Sequence, residues 1–212
     1  MMYPRSQKTL KKDVYIKVKE DITNGILKDH VSITQKMALE LYGVSGTPFR
    51  EAVQILESEG WVYSLPNKGV YVSPLTQKDI DEFFELRCIF ECAVAKKVSK
   101  TFTDEKKEVF QNLINQMNTD TSIQSDLEFT NLDFQFHKRL IEYAENNRLI
   151  VLSEQIYDMM KRIGNIVLKE PSRREEVIIE HTEILQGLSN GKYESAIKHH
   201  LDRAKHKLRN RE

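Results

Sequence analysis

Apolar residues recur along this chain first at mixed periods and then at a helical period alone. Between Thr9 and Asn24, Val14, Ile16, Val18 and Ile22, together with Tyr15, follow helical spacing, and Gly25 closes the run. A loop is expected over 26–33. Thr34 then reads as the N-cap of a short helix, Gln35–Tyr42, carrying Met37, Ala38 and Leu41, with Gly43 as its stop. Ser45 is placed to cap the next helix, and Pro48 falls in its first turn, where a missing N–H costs nothing. Phe49, Ala52, Val53 and Leu56 form its inward stripe and Gly60 ends it. Extended segments follow over 61–65 and 69–73, around the turn Pro66-Asn67-Lys68. Residues 1–73 thus predict a helix, a helix-turn-helix and a β-hairpin.

After Pro74 there is no further strand signal. Helical patterns run over 76–99 with Thr76 as cap, then 104–117, 127–145, 148–169, 173–188 and 192–208. Breaks fall at Asp120-Thr121-Ser122, Asn146-Asn147, Pro171 and Asn190-Gly191. The expected fold is mainly α: a winged helix-turn-helix over 1–73 and an all-α bundle of about six helices over 74–212.

Composition narrows the use of these parts. Charged residues make up 30% of the chain and the net charge is zero, which argues against a general polyanion binder. Residues 1–73 hold 10 Lys and Arg against 8 Asp and Glu, and 74–212 hold 22 against 24. The small positive excess at the N-terminal end means that any DNA contact must come from a few placed cations and backbone amides. Cys88 and Cys92 stand one helical turn apart, a poor separation for a disulfide, and read as reduced core residues; a metal or redox role is the lesser alternative. No apolar run reaches the roughly 18 residues of a membrane span, and the first residues hold no signal-peptide core. The expectation is a soluble, cytoplasmic protein.

The stretch from Thr34 to Trp61 has helix-turn-helix proportions, with Gly43-Val44-Ser45 as the turn. Its second helix can enter the major groove with its N-terminal residues at base edges, and its N-terminal amides favour phosphate. Ser45, Gly46, Thr47 and Arg50 lie at that end. Lys36 is in the preceding helix, and Lys68 with Gly69 marks the tip of the hairpin wing. On spacing alone the pair could be an ordinary αα corner, with Arg50 paired to Glu51 or Glu57. However, Gly43-Val44-Ser45-Gly46-Thr47-Pro48-Phe49-Arg50-Glu51-Ala52, followed by Leu56-Glu57-Ser58-Glu59-Gly60-Trp61-Val62, resembles the GntR family of bacterial regulators. The resemblance extends back to Ile33-Thr34 and forward to Gly69-Val70-Tyr71-Val72. It implies operator binding through these residues. The family usually carries Arg after the turn serine, where this chain has Gly46. A DNA contact is lost there, or is offset by Arg50, Lys36 and Lys68.

In the helical part, Asp133 and His137 are four residues apart and so share one helix face, a spacing that lets both bind one cation. His181 lies in a later helix, and His199 and His200 in the last. Mixed imidazole and carboxylate donors suit Zn, Ni, Fe or Mn. By spacing alone the signal is weak, since a lone helical histidine is more often a satisfied core or surface residue. Leu132-Asp133-Phe134-Gln135-Phe136-His137-Lys138-Arg139-Leu140, Ala144-Glu145-Asn146-Asn147-Arg148-Leu149 and Glu180-His181-Thr182-Glu183-Ile184-Leu185, with Glu85-Leu86-Arg87 and Glu91, are similar to the metal-binding FCD domain of the FadR subfamily. That resemblance implies a divalent metal held by one Asp and three His, with a small carboxylate effector often completing its sphere. Asp133, His137 and His181 match position by position. Ungapped counting puts Arg203 where the last His belongs. His200 shares an inward stripe with Tyr193, Ile197 and Ala204 and is the expected fourth ligand; His199 is the alternative. Otherwise three ligands remain and Arg203 grips the effector carboxylate, a task suited to guanidinium. Arg87 is the second effector candidate, with a salt bridge to Glu91 as its plainer reading.

These readings together imply a homodimeric regulator, acting as a repressor on a pseudo-palindromic operator in double-stranded DNA and switched by a small organic acid. The segment Ser73-Pro74-Leu75 and the helix from Thr76 are the expected transmitters. No catalytic residue is expected. The competing reading is a metal-dependent, hydrolase-like helical enzyme with an accessory DNA-binding domain, with Glu180 as its base.

Overall fold

The N-terminal pattern folds as three helices and a small sheet in the computed structural model, which describes residues 7–119 and 125–209. Helix α1 (Gln7–Thr23) is followed by strand β1 (Ser32–Ile33), α2 (Gln35–Tyr42), α3 (Gly46–Ser58), β2 (Val62–Leu65) and β3 (Gly69–Val72). Thr34 caps α2 by accepting from the Met37 N–H at 3.1 Å, and Gly43 closes it in the left-handed conformation at φ 67°. Ser45 stands at the N-cap of α3 but makes no side-chain cap bond. Position N3 of that helix is Pro48, which has no N–H to donate.

β1 departs from expectation, since residues 26–33 read as loop. The sheet order is β1-β3-β2, all antiparallel, with Ser32 opposite Tyr71, Ile33 opposite Val70 and Tyr63 opposite Tyr71. A two-residue strand has too little alternation to be visible alone; pairing with β3 defines it. Val14, Val18 and Ile22 of α1, Ile33, Ala38, Ala52 and Leu56, Trp61, Val62 and Val72 are all 5% exposed or less and form one core. Burying such side chains supplies about 1.5–3 kcal/mol for each large one. The core seats α3 with Thr47 and Arg50 outward.

Six further helices lie within the described residues: α4 (Gln77–Val98), α5 (Asp104–Met117), α6 (Asp126–Glu142), α7 (Asn147–Val167), α8 (Pro171–Asn190) and α9 (Tyr193–Arg209). Their bounds fall within a turn of the periodic stretches in the sequence. The break expected at Asp120-Thr121-Ser122 lies outside the described residues. Thr76 and Asp79 form a reciprocal capping box on α4, and Ser125 and Glu128 another on α6. Pro171 opens α8 rather than ending anything, because the first helical turn needs no N–H there. Cys88 and Cys92 are half-buried free thiols, not core residues. Burial, with the Cys88 thiol beside it, pushes the Cys92 thiol up to about 12. The bundle core centres on Phe110, Phe129, Phe136, Leu140, Ile184 and Ile197. Gly187 lets α9 begin directly against α8: a Cβ there would meet the Tyr193 backbone at 2.8 Å. That contact brings together the two helices that supply His181 and His200. Chain contacts divide the protein into the units Met1–Leu75 and Thr76–Glu212.

Candidate metal centre and nucleic-acid interface

Three helices of the bundle bring four polar side chains together in an apolar interior. α6 supplies Asp133 and His137 one turn apart, α8 supplies His181 and α9 supplies His200. One ligand atom from each lies within 4.8 Å of every other. The imidazoles stand 4.9–5.2 Å apart by ring centre. His137, His181 and His200 are 3% exposed or less.

Carboxylates behind the ring set which nitrogen faces inward. His137 Nδ1 bonds Glu91 Oε2 at 3.0 Å, and His200 Nδ1 bonds Glu180 Oε2 at 2.7 Å, so each leaves Nε2 toward the centre. The acids are braced in turn. Arg87 Nε donates to Glu91 Oε1 at 2.7 Å. Arg173 grips both oxygens of Glu180, at 2.6 and 2.7 Å, and Arg203 Nε reaches Oε1 at 3.1 Å. Burial works to raise both carboxyls, but the hydrogen bonds and ion pairs they receive outweigh it. Arg87 and His137 hold Glu91 well below the usual carboxylate range, and His200 and Arg173 hold Glu180 at about 2. Burial, then the neighbouring imidazoles, drives the His181 pKa well down; burial also lowers that of His200. Both rings are therefore neutral at pH 7, the state a metal ligand requires.

His181 is the buried side chain that lacks a hydrogen-bond partner within the cluster. Its ring lies flat on Phe136 at 4.0 Å, fully buried, and neither nitrogen has a hydrogen-bond partner. Nε2 lies 3.4 Å from Asp133 Oδ1 without hydrogen-bond geometry. A buried unsatisfied nitrogen costs about 1–3 kcal/mol. Three imidazoles and one carboxylate converging on such an atom suit a borderline transition metal. Arg87 also points a guanidinium nitrogen at His137 Nε2, 3.4 Å away, and would have to yield that position.

The other expected residues separate cleanly. His199 sits outside, half-exposed and bonded to Glu183 at 3.0 Å, while His200 sits within. Arg203 is 45% exposed and engaged with Glu176 and Glu180. Arg87 is buried and lines a cavity of about 30 Å³ beside the cluster, as do Asp133, His200, Met160, Val177 and Arg173. The sequence reading passed over Arg173. It is 1% exposed, and its Nε has no partner. Its seven-residue spacing from Glu180, two turns along α8, was the available signal.

In the N-terminal unit, Ser45, Thr47 and Arg50 are exposed around the start of α3, and Gly46 is half-buried. Among the described residues Arg50 forms no ion pair: Glu51 faces Lys11 at 3.7 Å, and Glu57 accepts the Ser64 N–H at 2.8 Å. Lys36 lies 3.8 Å from Glu40 on the exposed face of α2. Lys68 stands at the hairpin tip, between Asn67 (φ 60°) and Gly69 (φ 114°). A Cβ at Gly46 would meet the Gln35 amide at 2.4 Å, so Gln35 covers the place where a side chain would start.

An exposed helix N-terminus beside a two-stranded wing defines a winged helix-turn-helix DNA-binding protein, here joined to a helical bundle with a buried histidine cluster. The comparisons agree with that class. Residues 10–72 match the bacterial regulatory proteins of the gntR family, and residues 82–203 match the FCD domain. The chain belongs to the GntR family of transcriptional regulators, with an FCD domain as its C-terminal part. It is 26% identical over 195 residues to the uncharacterized HTH-type transcriptional regulator YdhC of Bacillus subtilis, covering 91% of this chain and 86% of that one. It is 24% identical over 200 residues to the HTH-type transcriptional repressor RspR of Escherichia coli, covering 92% and 87%. A putative GntR regulator from Rhodococcus shares the fold with a TM-score of 0.75, at 20% identity over 95% of this chain and 98% of that one.

Proposed function

We propose that this regulator is a metal-containing repressor of the FadR subfamily. It binds a pseudo-palindromic operator as a cytoplasmic homodimer and is switched by a small carboxylate effector. The observation that carries the sensing part is His181, buried among the other two imidazoles with neither nitrogen hydrogen-bonded. Asp133, His137, His181 and His200 would hold the ion. A bound Zn, Ni, Fe or Mn ion would offer the effector carboxylate an open coordination position. Arg87 and Arg173 are placed to orient that carboxylate, the latter through its unpartnered Nε. Arg203 serves Glu180 from behind. A cavity of about 30 Å³ admits about two waters, so an effector must push the lining apart. That differential fit is what a switch requires.

On the DNA side, Ser45, Gly46, Thr47 and Arg50 present one helix end to the major groove, with Lys36, Lys68 and Gly69 at the backbone. Ser45 has no cap bond to lose on contacting phosphate. The repressor assignment follows the names of relatives such as RspR. The enzyme alternative loses its base, because Glu180 already accepts from Arg173, Arg203 and His200.

The test is binding of the full chain to its own upstream DNA, measured by fluorescence anisotropy, with elemental analysis after reconstitution with zinc. One metal per chain is expected, with operator affinity at least 10-fold weaker in Arg50→Ala while the fold is retained. No metal after reconstitution overturns the sensing part. Equal affinity of Arg50→Ala overturns the recognition part.

A further inference from the structure

We infer that the outward face of α4 is the surface on which two copies of this chain pair, antiparallel, about a two-fold axis between Ile89 and Phe90. This rests on the homodimer reading above and assigns its surface. On a helix, Glu82, Leu86, Ile89, Phe90, Ala93 and Lys97 share one stripe. Leu86 and Ile89 are 50% and 65% exposed, Ala93 is exposed and Phe90 half-buried. The opposite side of the same helix is spent on the core through Phe83, Phe84, Val94 and Val98.

The charges say what covers the stripe. Acids flank its N-terminal end and bases its C-terminal end. Glu82 and Lys97 are equidistant from the midpoint, and so are Leu86 and Ala93. Reversing a copy about that midpoint lays Glu82 on Lys97 and Leu86 on Ala93 at both ends. Glu85 and Lys96 fall on one flank of the helix and come together in the same operation. A parallel copy would set acid on acid and base on base. Such self-complementarity is the signature of an isologous contact. The exposed apolar positions on α7 and α8 do not repeat it. Ile179 on α8 lies between Glu175 and Glu183, which would repel their own copies, and Val151 with Leu152 on α7 spans less than one turn. The Glu82–Lys78 pair, both residues exposed at 3.6 Å, is a weak competitor for Glu82.

Two charge-reversed variants test the pairing: Glu82→Lys with Glu85→Lys, and Lys96→Glu with Lys97→Glu. All four side chains are exposed, and circular dichroism checks that the helices are retained. Native mass spectrometry and sedimentation equilibrium at micromolar concentration read the assembly. The wild-type chain is expected to be a dimer, and each variant alone monomeric or at least 10-fold weaker in self-association. Mixed in equal amounts, the two variants should form a heterodimer of intermediate mass, because both ends are matched again. If the wild type is dimeric and both variants dimerise as tightly, or if the mixture does not recover, the assignment to α4 is wrong and the homodimer reading survives. A monomeric wild type overturns both. Ile89→Glu, which adds a charge at the centre of the stripe without reversing either end, should also yield monomer; a dimer of wild-type affinity counts against the assignment.

Discussion

Replacing Glu180 by Gln tests the site through a residue that would not itself touch the metal. Both carboxylate oxygens are in use. Oε1 accepts from Arg173 at 2.6 Å and Arg203 at 3.1 Å, and Oε2 accepts from Arg173 at 2.7 Å and His200 at 2.7 Å. A glutamine of the same shape can accept with only one of them. Whichever way its amide turns, the NH₂ group faces two N–H donors, so the loss includes repulsion as well as missing bonds. Arg173, 1% exposed, then keeps its charge with only Glu176 opposite it. Breaking one side of a buried ion pair costs about 3–5 kcal/mol, and that loss should appear in the metal-free protein as a lower denaturant midpoint. Separately, His200 loses the acceptor that fixes its tautomer. Loss of such a partner lowers metal affinity by about 10–100-fold, or about 1.4–2.7 kcal/mol. Zinc affinity is read by competition with a chromophoric chelator, under conditions where the variant remains folded. Glu176→Gln is the control: it is more exposed and does not contact an imidazole, so zinc affinity should hold. Unchanged zinc affinity in Glu180→Gln would refute the chain from Arg173 through Glu180 to His200.

Stability of the metal-free protein should fall with acid in two windows. His181 and His200 have depressed folded values, so their contribution is complete above the unfolded value of about 6.5 and shrinks below it, at about 1.4 kcal/mol per pH unit for each ring. Glu91 and Glu180 are likewise depressed, and their contribution is lost below about 4.5. Urea titrations from pH 8 to 4 check this; a flat profile between pH 6.5 and 5 would contradict buried neutral imidazoles. Gly46→Arg should tighten operator binding and steepen its salt dependence by roughly 0.9 per added phosphate contact, because only the flexible end of Gln35 must move aside. Anisotropy titrations at several salt concentrations measure it, and an unchanged slope rules the contact out. Removing zinc with a chelator should lower the melting temperature of the wild type but leave that of His181→Ala unaffected; equal shifts would remove His181 from the ligand set.

Local sequence was enough for the order of elements, because caps, glycine stops and the helical period act within a few residues. Thr34, Gly43, Thr76 and Gly191 each mark a boundary by chemistry carried nearby. The Asp133 and His137 pair was legible for the same reason, since one helix turn fixes their shared face. The family resemblance named His181 and left the last ligand as His200, His199 or neither. Adjacent residues on α9 differ by about 100° in direction, and only the packing of α9 against α8 turns His200 inward and His199 out. The same holds for β1, which exists because β3 offers it a partner. The role of Arg173 was not decided by its spacing from Glu180 for a third reason: a buried arginine is stable only against the carboxylate it meets, and that meeting belongs to the fold. What the sequence determined by itself was therefore each helix and its apolar face. What tertiary structure decided was which polar side chains those faces carried together, because burial and ion pairing depend on neighbours that are distant along the chain.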